Sequence, residues 1–253
     1  MKFVTFNIRF SWDKDGINSF LHRAGGILQK IRTEAPDVVC FQEVTDPIAT
    51  FLRQNLTGYY LLFNQRNADY RGEGLALAVK TDTIEVLGLE FFWLSPTPHT
   101  PGSRFEEQSR CPRICQVALL RYGSTIFRVY NVHLDHVSDT AQRLGMEAVL
   151  KKMIAHRNEN EFPLFLCGDF NATPESAAIA LCRECAEIKL VETTSAIPDT
   201  YHAFGSRENP LKIDYVFTDA ATATHPHAVT AWTDESDGIY LSDHFPLQLE
   251  IEL

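Results

Sequence analysis

The sequence predicts a mixed, largely antiparallel α/β (α+β) fold, with two β-sheets packed face to face and helices outside them. Three observations lead there. Ten short apolar runs, rich in β-branched and aromatic residues and flanked by turn residues, recur along the 253 residues. Four stretches, 17–34, 45–56, 139–157 and 175–185, carry helical periodicity. Some neighbouring runs are joined by links as short as "RYGST" at 121–125, which suits an antiparallel hairpin, while others are separated by the helical stretches. Many strands with few helices bury best as two facing sheets whose outer faces the helices cover.

Taken in order, "KFVTF" forms the first strand and runs into Asn7. A helix over 17–34 leads to "DVVCF", which runs into Gln42 and Glu43. The helix at 45–56 precedes the strands "YYLLF", "LALAV" and "TIEVLGLEFFWL". "RICQVALL" and "TIFRVYNV" then form a hairpin, and Asp139 or Thr140 caps the helix at 139–157. "FPLFLC" follows, Pro174 with Glu175 opens the helix at 175–185, and "IDYVF" and "FPLQLEIEL" complete the set. No repeat, low-complexity tract or Pro/Ser linker intervenes, so one domain over residues 1–253 is expected.

With 23 basic and 33 acidic side chains, the formal net charge is −10. Sequence-blind binding of DNA needs clustered Lys and Arg, so strong non-specific DNA binding is not expected. "MKFVTFNIRF" lacks the apolar core of a signal peptide, and no run reaches the ~18 apolar residues of a membrane span. Cys40 and Cys167 sit in apolar runs as reduced core residues; Cys182 and Cys185 form a C-x-x-C with no second pair at zinc spacing. The chain reads as cytoplasmic, and its oligomeric state is not encoded in any visible pattern.

The strands end in an unusual way. Asn7, Gln42–Glu43, Asn131-Val132-His133-Leu134-Asp135, and Gly168-Asp169-Phe170-Asn171 each break an apolar run; Asp214 interrupts "KIDYVF", and Asp243–His244 precede the last strand. Each alone suits a turn. Together they are six interruptions by Asn, Asp, Glu or His and none by Lys. Residues two apart on a strand share a face, so Asn131, His133 and Asp135 can point together, as can Asp169 and Asn171. Glu43, Asp243 and the carboxamide of Asn7 offer hard oxygen ligands that fit Mg²⁺, with Mn²⁺ able to substitute. Asp169 can orient or deprotonate a water, Asn171 can donate to a developing oxyanion, and His133 and His244 can donate to phosphoryl oxygens. Asp214 can hold an imidazole in one tautomer. This is a kit for metal-assisted hydrolysis of a phosphate ester.

The ordered set "FNIR", "FQEV", "NVHLDH", "GDFNATP", "KIDYVF" and "SDHFPL" resembles the endonuclease/exonuclease/phosphatase superfamily, with the deoxyribonuclease I fold, over residues 3 to about 250. The resemblance implies a four-layer sandwich. It also implies a divalent cation on Asn7 and Glu43 with Asp243, water activation by Asp169, transition-state stabilisation by Asn171, and His244 polarised by Asp214. His133 stands where nuclease members have His and abasic-site endonucleases have Tyr; Glu73 stands where the pancreatic nuclease has the Glu that orients it. "CPRICQ" and "NVHLDHVSDTAQR" look like a bacterial subgroup of small hydrolases, in which Arg113 reaches the site. Asn131 and Asp135, with His136, are expected to line the substrate pocket. The implied partner is a phosphate ester, small molecule or nucleic acid: a phosphodiester as in nucleases, or a phosphomonoester or lipid headgroup. A binding module with a spent site would lack Glu43, Asp169 or His244, and all three are present.

Overall fold

The computed structural model describes all 253 residues. Fourteen strands result: β1 Lys2–Asn7, β2 Val38–Val44, β3 Tyr59–Gln65, β4 Gly74–Lys80, β5 Ile84–Trp93, β6 Ile114–Tyr122, β7 Thr125–His133, β8 Leu164–Asp169, β9 Leu190–Glu192, β10 Asp214–Asp219, β11 His227–Ala231, β12 Glu235–Ser236, β13 Ile239–Tyr240 and β14 Leu247–Ile251. The α-helices are α1 Phe20–Glu34, α2 Asp46–Asn55, α3 Asp139–Glu159 and α4 Ala177–Glu184.

One sheet runs β11–β14–β1–β2–β4–β3 and the other β5–β6–β7–β8–β10–β9. Pairing is antiparallel except for β1 with β2 and β7 with β8. Parallel neighbours need a crossover of roughly a dozen residues or more, and α1 and α3 lie in those two crossovers. Side chains alternate between faces of a strand, which yields three cores. Phe3, Val38, Cys40 and Leu77 meet Phe127, Phe165, Cys167 and Val216 between the sheets. The alternate residues Val4, Phe6, Val39 and Phe41 pack with Ile27, Ile31, Ile48 and Leu52 of α1 and α2. Tyr130, Val132, Leu166 and Phe217 pack with Met146, Val149, Met153 and Ile179 of α3 and α4. Three cores between four layers make the expected sandwich, and strands buried on both faces explain why the runs are continuously apolar.

Local differences have physical reasons. The stretch expected as one helix over 17–34 begins in a 3₁₀ segment, Asp13–Asn18, kinked at Gly16 with φ 58°, and extended Ser19 separates that segment from α1. Ser138, not Asp139 or Thr140, caps α3, its hydroxyl accepting from Ala141 N–H at 3.2 Å. Pro174 and Glu175 form a turn ahead of α4, which Ser176 caps. Cys182 and Cys185 are core residues against α3 and β9 rather than part of a ligand cluster. No helix is long and apolar enough to cross a membrane.

Towards one rim the inter-sheet core turns polar. Gln42 Nε2 donates to Asn131 Oδ1 at 2.8 Å and to Thr5 Oγ1 at 3.2 Å, and Asn131 Nδ2 donates to Phe41 O at 3.1 Å. The network floors the cleft described next.

Candidate active site

At this rim the ends of β1, β2, β7 and β8 meet the segment leading into β14. The ends of β2 and β8 depart from regular strand geometry. Glu43 has φ 61° and sits in a bulge between Phe41 and Val44, which re-aims its carboxylate to the rim. Such a φ on a non-glycine residue costs ~1–3 kcal/mol and persists where the surroundings enforce it. Gly168 has φ 138°, and a Cβ there would lie 1.9 Å from Val132 O, so only glycine lets β8 lie against β7. Asn171 takes φ 50°, a conformation asparagine tolerates. The strand therefore stops at Asp169 rather than continuing, yet the reversal still brings Asn171 to the cleft, its N–H donating to Asp169 Oδ1 at 2.8 Å.

Strand register aligns His133, Asp169 and Asp214 as neighbours across β7, β8 and β10. His133 Nε2 lies 3.3 Å from Asp169 Oδ2, and His244 Nε2 lies 4.0 Å from the same oxygen. His244 Nδ1–H donates to Asp214 Oδ2 at 2.8 Å. Asn7 Nδ2 donates to Asp169 Oδ2 at 3.0 Å and Glu43 Oε1 at 3.2 Å, while its Oδ1 accepts from Arg9 N–H at 3.0 Å. Asn7 thus reaches the carboxylates through its NH₂ group; the oxygen expected to face a cation is turned to the backbone, because carboxylates draw N–H donors.

The electrostatics divide the site. Burial and repulsion from Asp214 lift Asp169 to about 7 against the pull of His244. Burial and Glu43 raise Asp243 despite His244 and Arg9. Burial pushes Glu43 up as well, but Phe10 N–H and Arg9 more than offset it. Burial pushes His244 down, and Asp214, with Asp169 and Asp243, reverses this to about 10. His133 is driven well below its ordinary value by burial and by Arg113 and Arg66, so it is neutral near pH 7. Ligand atoms of Glu43, His133 and Asp169 lie within 4.8 Å of one another, as do those of Asp169, Asp214 and His244. Crowded carboxylates, two of which, Asp169 and Asp243, are raised by burial and by neighbouring negative charge, offer mostly hard oxygen donors and fit a divalent cation.

Above these groups opens a cleft of about 570 Å³ lined by Glu43, Glu73, Arg113, His133, His136, Asp169, Asn171, Asp243 and His244 among others. Asn7 and Asp214 are buried and support this lining. Glu73 pairs with Arg66, and its Oε1 is 3.9 Å from His133 Nδ1. Arg113 is 4 % exposed and gives Nη2–H to His136 Nδ1 at 3.0 Å, while its Nε and Nη1 are buried without a hydrogen-bond partner.

Two expected pocket residues are not there. Asn131 is fully buried between the sheets, its amide held by Gln42 and Phe41. It shares a strand face with His133 but lies one repeat deeper. Asp135 is spent on the chain: it accepts from Ser109 Oγ, from Ser138 N–H at 2.9 Å and from Val137 N–H at 3.2 Å, tying the 109 segment to the start of α3. Conversely, Arg9, Phe10, Arg66 and Tyr201 line the cleft unforeseen. The position of Arg9 directly after "FNI" was a usable signal; Arg66 and Tyr201 carry none in sequence.

A search of curated proteins found no match. Among solved structures, a functionally unknown conserved protein from Enterococcus faecalis V583 is 29% identical, with TM-score 0.85, over 100% of this chain and 99% of that one. An endonuclease/exonuclease/phosphatase from Bacteroides vulgatus is 28% identical, with TM-score 0.87, over 99% of this chain and 98% of that one. A mannosyl-6-phosphatase from Bacteroides thetaiotaomicron VPI-5482 shares the fold at 21% identity and TM-score 0.86, each chain covered over 100%. The sequence model of the Endonuclease/Exonuclease/phosphatase family matches residues 4–244. With that match spanning both sheets and the whole rim, the chain belongs to the Endonuclease/Exonuclease/phosphatase family, hydrolases that act on phosphate esters.

Proposed function

We propose that this protein is a Mg²⁺-dependent hydrolase of a small phosphate ester. One observation carries the reading: the same cleft is lined by a crowded carboxylate cluster, Glu43, Asp169 and Asp243, and by a buried guanidinium, Arg113, whose Nε and Nη1 have no partner within the protein. A cation held by the carboxylates and an anion held by the guanidinium would satisfy both, and a metal-dependent reaction on a phosphate ester would bring the two together. Glu43 and Asp243, with Asn7 after a half-turn of its amide, would hold the ion. When bound, Mg²⁺ supplies positive charge to offset the charge developing on the phosphoryl oxygens.

The chain's own groups do the rest. Asp169 orients a water for in-line attack on phosphorus and accepts its proton while the ester P–O bond opposite breaks, the departing alkoxide taking a proton from solvent; a value of about 7 suits such a base. His244, kept charged by Asp214, donates to a phosphoryl oxygen. His133, neutral and beside Asp169, presents a second polar contact, and Glu73 flanks its other nitrogen. Asn171 adds its carboxamide at the cleft wall. Arg113 takes an anionic oxygen through its free N–H groups. A net charge of −10 supports a small ester over duplex DNA, and the fold shared with a mannosyl-6-phosphatase is consistent with one.

The test is hydrolysis of p-nitrophenyl phosphate beside bis-p-nitrophenyl phosphate with Mg²⁺, with Mn²⁺ and with EDTA, using Asp169→Ala as control. Turnover lost in EDTA and in the variant is expected, and the preferred substrate separates monoesterase from diesterase. Activity that survives chelation, or an Asp169→Ala variant with wild-type turnover, refutes the mechanism.

A further inference from the structure

Helix α1 carries a side chain that its place in the core does not explain. Arg23 is 1% exposed, on the same buried face as Ala24, Ile27 and Ile31. An apolar residue is the ordinary occupant there, and a buried guanidinium is costly unless its N–H groups are satisfied. Here they are, by backbone carbonyls alone. Nε donates to Asn18 O at 2.6 Å, Nη1 to Ile8 O and Leu241 O, both at 2.8 Å, and Nη2 to Arg9 O at 3.0 Å.

The source of those carbonyls is informative. Ile8 and Arg9 directly follow Asn7, and Leu241 directly precedes Ser242, Asp243 and His244. Both segments lie outside the regular strands, one beyond the end of β1 and one ahead of β14. His133 and Asp169, by contrast, are paired with each other in the ladder of β7 and β8. Ser242 links the same two segments directly: its Oγ donates to Asn7 O at 2.6 Å and lies 3.1 Å from Asp243 Oδ1. A planar guanidinium with its donors in a fixed fork can hold carbonyls from several segments at once, which a lysine ammonium cannot reproduce.

We infer that Arg23, together with Ser242, positions the divalent-cation site by setting the spacing between the segment that carries Asn7 and the one that carries Asp243. The inference rests on the metal-dependent hydrolysis proposed above. Arg23 acts through the backbone of the two segments, and Ser242 through Asn7 O and the Asp243 carboxylate. Residues that orient metal ligands from behind typically change metal affinity ~10–100-fold when altered.

The experiment measures Mn²⁺ binding to the full chain by electron paramagnetic resonance and by calorimetry, with thermal unfolding in EDTA recorded in parallel. Wild type is compared with Arg23→Lys, Ser242→Ala and Ile31→Val, the last lowering stability from the same buried helix face without removing any of these hydrogen bonds. The expected result is Mn²⁺ affinity weakened ~10–100-fold in folded Arg23→Lys, weakened in the same direction in Ser242→Ala, and unchanged in Ile31→Val. Wild-type affinity in a folded Arg23→Lys overturns the inference, as does an equal loss in Ile31→Val. If Arg23→Lys does not fold, Ser242→Ala decides: weaker binding supports the positioning role and unchanged binding overturns it. A wild-type protein that binds no Mn²⁺ defeats the metal-dependent reading itself, and the inference with it, so the two failures are read apart.

Discussion

Replacing Arg113 by Met should make the protein more stable and a worse enzyme. Arg113 is 4% exposed and forms no salt bridge; Glu73, whose charge favours it, is committed to Arg66. Its Nε and Nη1 have no partner, and Nη2 serves only the exposed His136. Exchanging a buried, poorly paired ion for a hydrophobe of similar size is often neutral or stabilising by ~1–4 kcal/mol. For a chain of this size that corresponds to a melting temperature higher by roughly 2–15 °C. The cost falls on the substrate. Two charge-assisted hydrogen bonds at ~1.5–3 kcal/mol each give ~3–6 kcal/mol, or about 10²–10⁴-fold in kcat/KM. Scanning calorimetry of both proteins, with and without inorganic phosphate, and kinetics on p-nitrophenyl phosphate check the two halves together. Phosphate should raise the melting temperature of wild type and leave the variant's unchanged. A variant that melts lower and keeps wild-type kcat/KM would show that Arg113 is structural, and the anion-binding argument would fall.

Gly168→Ala should destabilise by roughly 3 kcal/mol or more, since backbone strain and overpacking each cost ~1–3 kcal/mol where a Cβ meets Val132 O at 1.9 Å; a denaturation midpoint equal to wild type would contradict the close approach of β7 and β8. In EDTA, stability should fall as pH rises through the alkaline range. His244 is raised to about 10 in the folded state, so its pairing with Asp214 contributes fully below its unfolded value of ~6.5 and is lost as pH approaches 10; urea titrations should show that slope, and Asp214→Asn should flatten it. Adding Mg²⁺ at about 100 times its dissociation constant should stabilise the protein by ~2.7 kcal/mol, and Glu43→Gln should remove most of that gain. A melting temperature indifferent to Mg²⁺ would count against the carboxylate cluster as a cation site.

The apolar runs determined the layers, because strands buried on both faces leave a continuous hydrophobic signature that survives without any knowledge of their partners. The ends of those runs determined most of the candidate site for a similarly local reason: Asn7, Glu43, His133 and Asp169 are polar residues at positions where an apolar strand stops, and Asp243 stands just before one begins. Strand parity, however, gives only a face and not a depth. Asn131 and His133 share a face, yet one lies in the inter-sheet network and the other in the cleft. Parity also fails where the chain leaves the strand, as at Asp135, whose oxygens the 109 segment and the start of α3 consume. Arg66, Tyr201 and the carbonyls gathered by Arg23 depended wholly on tertiary packing. Their contacts join segments that the chain itself separates, and no local periodicity records which segments the two facing sheets will bring within hydrogen-bond reach.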